Sequence, residues 1–168
     1  MLAIIPARKG SKGLKNKNKL IISKLPLIAH SIKSAKKSKY ISRVIVSTDC
    51  KDIARISKKY GADIFLRENP KESDNITMPD VPTISCLESF DKEIPDFVFM
   101  VQCTAPFIKA ETFKKACTRL LENPESTVFA AEDVCKVPKT RCPVSAAVIA
   151  SWIVSRSLIS PIYITSGS

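Results

Sequence analysis

The stretch Leu2-Ala3-Ile4-Ile5-Pro6-Ala7-Arg8-Lys9-Gly10-Ser11-Lys12-Gly13, running on to Lys17-Asn18-Lys19, joins a short apolar run to a basic loop. The run has strand length, and its isoleucine content suits a strand covered on both faces, as in a parallel sheet. Ile4 to Lys19 hold two glycines, one arginine and five lysines, and no acidic residue precedes Asp49. In parallel sheets ligands bind beyond the carboxyl ends of the strands. The basic loop therefore leaves the strand where a ligand is expected.

Working outward, the same theme repeats. Apolar runs of strand length recur at Val44-Ile45-Val46, Ala62-Asp63-Ile64-Phe65-Leu66, Phe97-Val98-Phe99-Met100-Val101 and Thr127-Val128-Phe129-Ala130. Helical patterns lie between them. Pro26 to Lys39 places Leu27, Ile28, Ser31, Ile32 and Ala35 on one face and lysines on the other, with Pro26 suited to a first turn. Asp52 to Tyr60 repeats the pattern and ends at Gly61, in the position of a helix C-cap. Residues 80–91 and 111–122 supply two more. Alternating strands and helices predict an α/β protein, a three-layer α/β/α sandwich with a mostly parallel sheet. The crevice is expected among Pro6–Asn18, Ser47–Cys50, Arg67–Asp74 and Gln102–Pro106.

A chain of 168 residues suits one domain with a real core. Its 27 Lys and Arg against 16 Asp and Glu leave a net charge of +11, which favours anionic partners without naming one. The six cysteines form no C-x-x-C pair and His30 is the only histidine, so a zinc site of the usual spacing is not expected. The thiols read as reduced and His30 as structural. The start is too short an apolar run for a secretory signal, which points to the cytoplasm. Residues 1–142 read as the domain that carries the basic loop and 143–168 as a divergent apolar tail. A membrane helix needs about 20 apolar residues, and Arg156 with several serines interrupts this one. No membrane partner is expected.

The loop's chemistry is legible. Gly10 and Gly13 permit close backbone approach, and successive N–H groups can form an anion-binding nest. Arg8 offers a planar fork for phosphate oxygens, while Lys12 and Lys17 offer mobile point charges. The spacing is neither G-x-x-x-x-G-K-[ST] nor G-x-G-x-x-G. Composition alone allows a solvated loop that only aids solubility. The order of the residues argues otherwise.

Pro6-Ala7-Arg8-Lys9-Gly10-Ser11-Lys12-Gly13 with Lys17-Asn18 resembles the opening signature of the acylneuraminate cytidylyltransferases (CMP-sialic acid synthetases), I-P-A-R-x-G-S-K-G followed by K-N. Lys24-Leu25-Pro26-Leu27-Ile28-Ala29 resembles their G-K-P-L-I-A, and Arg43 to Asp49 their R-V-I-V-S-T-D. Leu66-Arg67 is similar to the start of L-R-P, and Val101-Gln102-Cys103-Thr104-Ala105-Pro106 to L-Q-P-T-S-P. CMP-KDO synthetases fit less well, lacking the G-S-K-G and K-N pairing. The resemblance implies a Rossmann-like nucleotide-diphospho-sugar transferase fold. It implies CTP lying over the loop, attacked at its α-phosphorus by the anomeric hydroxyl of a nonulosonic sugar acid, with pyrophosphate leaving.

By that resemblance Arg8 and Lys17 are catalytic, neutralising the triphosphate. Ala7, Arg8, Gly10, Ser11, Lys12, Gly13, Lys17, Asn18 and Arg67 are expected to bind nucleotide, and Gln102 and Thr104 the sugar acid. Mg²⁺ is the implied cofactor, and a homodimer the implied assembly. Three positions depart from the pattern: Met78 stands at a usual serine, Cys103 at a proline and Ile108 at an arginine. The family's metal-binding aspartates fall beyond Ser168, and no Asp or Glu follows Asp133, so no protein ligand for the metal is expected within the chain. The chain is accordingly expected to be a C-terminally shortened member. Two other readings stay open: a non-catalytic remnant that binds nucleotide or a partner subunit, and a basic nucleic-acid-binding module. The second is disfavoured because the first aromatic is Tyr40, leaving no base-stacking side chain on the loop.

Overall fold

The structure, a computed structural model, describes residues 1–10, 14, 16–68, 81–90, 95–103, 106, 108–124, 128–131 and 149–155. Strand β1 (Leu2–Pro6) sits at the centre of a six-stranded sheet. A two-strand hairpin, β2 (Ile21–Ile22) and β3 (Leu25–Pro26), leads into helix α1 (Leu27–Lys37). Then follow β4 (Arg43–Thr48), α2 (Lys51–Lys59), β5 (Asp63–Leu66), α3 (Val81–Glu88), β6 (Phe97–Val101) and α4 (Ala110–Glu122). Strands β7 (Val128–Ala131) and β8 (Ile149–Ser155) complete the sheet.

The strand order is β5-β4-β1-β6-β8-β7. β1 pairs in parallel with both β4 and β6, and β4 in parallel with β5. Successive residues of β1 serve opposite faces, as strand geometry requires. Ala3 and Ile5 enter a core with Ile28 and Ile32 of α1, Ile53 of α2 and Phe113, Cys117 and Leu120 of α4. Leu2 and Ile4 enter a second core with Ile45, Val98 and Cys86 and Leu87 of α3. The sheet is thus the middle of three layers, with α1, α2 and α4 on one face and α3 on the other. This is the α/β sandwich with a mostly parallel sheet that the residue pattern predicts.

Two elements differ from the sequence reading. The hairpin before α1 turns through Ser23 and Lys24, both at positive φ (47° and 71°), without the Asn-Gly pair that marks such turns. Its first strand is tied to the helix instead, because His30 donates from Nε2 to the Ile22 carbonyl at 2.8 Å. The larger difference lies in the tail. Residues 149–155 fall within the divergent apolar tail, and their backbone forms β8, antiparallel between β6 and β7. An uncharged run becomes a strand there because two strands with unfilled edges flank it, and both lie far away in the sequence.

Position follows from this topology. From β1 the chain moves out to β4 and β5, then returns across β1 to β6. The loops after β1 and β6 therefore part company, leaving a crevice at the carboxyl end of the sheet. Residues 7–10, 14, 16–20 and 49–50, with Arg67 and Gln102, all emerge at that end.

Candidate active site

The loop after β1 begins with Ala7 N–H donating to the Ser47 carbonyl at 2.8 Å, which carries the β1–β4 ladder one residue past the strand. Arg67 does likewise after β5, its N–H donating to the Thr48 carbonyl at 2.9 Å. Both backbones are therefore rigid where they leave the sheet. Arg8 comes next and is half-buried, followed by exposed Lys9 and Gly10. A Cβ built on Gly10 would meet nothing within 4 Å, and Gly10 does not take positive φ. The missing side chain leaves open space above the backbone rather than relieving strain, which is what close approach by a ligand requires.

The far leg of the loop returns as a single 3-10 turn, Lys17–Lys19, preceded by Asn16 in the left-handed region (φ 57°). That turn buries Asn18, which is 6% exposed and donates from Nδ2 to the Arg8 carbonyl at 3.1 Å. Asn18 thereby closes the loop on itself and brings Lys17 back toward Arg8. Lys17 also lies near Cys103, whose thiol it lowers slightly against a much larger upward push from burial. The net effect raises that thiol to about 12. Cys103 Sγ lies 4.0 Å from the Pro6 carbonyl, joining the loop after β6 to the end of β1.

Two carboxylates, one in the β4–α2 turn and one in the first turn of α2, clamp the loop. Lys9 N–H donates to Asp49 Oδ1 at 2.7 Å, and the Arg67 guanidinium lies 3.8 Å from the same oxygen. The Arg67 side chain is only 2% exposed. Asp52, in the first turn of α2, pairs with Lys19 Nζ at 3.2 Å. The Lys19 ammonium holds the Asp52 carboxyl below its usual value of 3.8. Charge on Asp52 favours the folded state, so this stabilisation is present above that pH and fades as pH falls below it.

An aspartate between a strand and a helix is well placed to cap that helix. The structure places Cys50 at that N-cap with no side-chain cap, while Cys50 N–H donates to Thr48 Oγ1 at 3.1 Å. Asp49 faces the loop instead. The available signal was its being the first acidic residue after 48 that include none.

Of the expected site residues, Ala7, Arg8, Gly10, Lys17, Asn18, Arg67 and half-buried Gln102 all lie at the carboxyl end of the sheet. Ser11, Lys12, Gly13 and Thr104 lie outside the described residues, as does Met78. Among the described residues no three of His, Cys, Asp and Glu stand close enough to hold a metal ion. Asp49, the carboxylate beside the loop, faces Lys9 N–H and Arg67. The described donor set does not fit a protein-held magnesium ion.

This arrangement can seat a polyanion along a line from Arg8 through the open face of Gly10 to Lys17. The family model described as Cytidylyltransferase matches residues 2–148. The chain belongs to the cytidylyltransferase family. An N-acylneuraminate cytidylyltransferase of Escherichia coli is 46% identical over 74 residues, 44% of this chain and 18% of that protein. A CMP-N,N'-diacetyllegionaminic acid synthase of Legionella pneumophila is 39% identical over 119 residues, 69% of this chain and 51% of that one. The chain thus spans about half the length, or less, of these two curated relatives. Among solved structures, CMP:2-keto-3-deoxy-manno-octonic acid synthetase complexed with CTP superposes with a TM-score of 0.72 at 16% identity. The match covers 99% of this chain and 78% of that one, and shares the fold. No described helix is long and apolar enough to cross a membrane.

Proposed function

We propose that this cytidylyltransferase-family chain carries the nucleotide-binding part of an enzyme that activates a nonulosonic sugar acid with CTP. The anomeric hydroxyl oxygen bonds to the α-phosphorus and the bridging bond to the β-phosphate breaks. Pyrophosphate departs with the electron pair, and the hydroxyl proton passes to solvent. Arg8 and Lys17 neutralise the triphosphate as charge shifts onto pyrophosphate, and the sequence resemblance assigns Ser11, Lys12 and Gly13 to nucleotide binding. Asn18 keeps the loop closed, Arg67 adds a buried cation, and the same resemblance assigns Gln102 and Thr104 to the sugar acid. The chemistry needs positioned charge rather than a protein nucleophile.

The observation that carries this reading is the closed basic loop, pinned at Arg8 and Lys9 beside the switch point of the sheet with open space over Gly10. The names of the two relatives, one for an acylneuraminate and one for a diacetyllegionaminic acid, support the substrate class. A cytoplasmic setting suits a reaction that draws on CTP.

The test is thermal stability with Mg²⁺ in the buffer and CTP, UTP, ATP or no nucleotide, followed by pyrophosphate release with a panel of nonulosonic acids. CTP at a hundred times Kd should add about 2.7 kcal/mol of stability, and the other nucleotides less. Arg8→Ala and Lys17→Ala should each lower kcat/KM about 10²–10³-fold. Equal responses to all three nucleotides would sink the CTP assignment. A CTP-selective shift without turnover would leave a nucleotide-binding remnant.

A further inference from the structure

We infer that Asp49 is the positioning residue of the site, setting the basic loop and Arg67 in register with each other; the inference rests on the triphosphate reading above. Asp49 is the residue after β4, so its backbone is held by the central sheet. Its Oδ1 accepts the Lys9 N–H at 2.7 Å across forty residues of sequence and sits 3.8 Å from the Arg67 guanidinium. One oxygen atom thus faces the near leg of the loop, after β1, and the cation that follows β5.

A carboxylate beside a polyanion site is costly by Coulomb's law alone, since it repels the ligand. Its place there has to be explained by something other than direct attraction. The geometry supplies the reason. Lys9 immediately follows Arg8, and Asn18 ties the Arg8 carbonyl from the other side. With Lys9 N–H held by Asp49 and the Arg8 carbonyl held by Asn18, both polar atoms of the Arg8–Lys9 peptide unit are fixed, and Gly10 keeps its open face. The Asp49 charge also keeps the buried Arg67 guanidinium beside the crevice, where it lies 2% exposed. Asp49 acts through these groups and does not touch the phosphates.

The two accounts predict opposite signs. If Asp49 were only a nearby negative charge, any neutral replacement would tighten anion binding. If it positions the loop, Asp49→Ala loses the Lys9 bond and binding weakens, whereas Asp49→Asn retains an acceptor oxygen.

The experiment measures CTP and inorganic tripolyphosphate binding by calorimetry for wild type, D49A and D49N, with amide hydrogen exchange at Lys9 read in parallel. D49A should bind both ligands about tenfold more weakly and lose protection at the Lys9 amide. D49N should keep that protection and stay within about threefold of wild type. Tighter or unchanged binding by D49A overturns the inference, as does Lys9 exchange unaffected by D49A. A wild-type chain that binds tripolyphosphate but not CTP overturns the nucleotide assignment, while the same variants still decide Asp49. Binding of neither ligand by the wild type overturns both. D49N keeps the test decisive if D49A fails to fold.

Discussion

A buried amide decides the shape of the loop. Asn18 is enclosed almost completely, and its Nδ2 finds the Arg8 carbonyl at 3.1 Å. Buried polar groups are kept only where they are bonded, because desolvation without a partner is expensive. Replacing Asn18 by Ala should cost about 1 kcal/mol of stability in urea unfolding. It should also weaken CTP binding, since Lys17 is no longer drawn back toward Arg8. Unchanged CTP affinity would show that the loop closes without Asn18. The K-N pair was visible in the sequence as part of a resemblance, but the partner of its asparagine was not. A hydrogen bond between Asn18 and a backbone atom ten residues earlier leaves no mark in composition or period.

Helix α4 shows how an element is held and how well its pattern reads. Phe113, Cys117 and Leu120 recur at helical spacing and are all buried, against an exposed face that includes Lys114, Lys115, Thr118 and Arg119. Phe113 meets Phe99 of β6 edge to face, with centroids 5.6 Å apart and planes at 65°. This contact joins the helix to the strand whose carboxyl end carries Gln102. Phe113→Ala should therefore lose about 3–5 kcal/mol, combining lost transfer energy with the cavity left behind. A urea midpoint within error of wild type would refute that packing role. The four longer helices and the parallel strands were legible because each repeats its period within one short window. The hairpin before α1 was not, because its positive-φ residues are Ser23 and Lys24, which carry no turn signal, and its support comes from His30. Strand β8 was not legible either, since a strand in the middle of a sheet is defined by neighbours some fifty residues away in one case.

For the molecule as a whole, the buried thiols set an alkaline limit on stability. Burial raises Cys86 and Cys103 to about 12 and Cys117 to about 11, from an ordinary value of 9.0. Each folded thiol keeps its proton where the unfolded one loses it. Their contribution is therefore complete below pH 9.0 and is lost as pH rises through the folded values. Relative to Cys86→Ala, wild type should lose at most about 1.4 kcal/mol per pH unit between those limits. Urea unfolding at a series of alkaline pH values checks this, and parallel curves for the two proteins would contradict it. The amino-acid sequence by itself determined the sandwich, the order of its parallel strands' carrier segments and the basic loop, because periodicity and charge order are local properties. Only the tertiary structure decided that Asp49 and Asp52 turn back onto that loop, that Asn18 closes it and that β8 joins the sheet. Those contacts link residues far apart in the chain, and nothing short of the folded backbone brings their atoms within bonding distance.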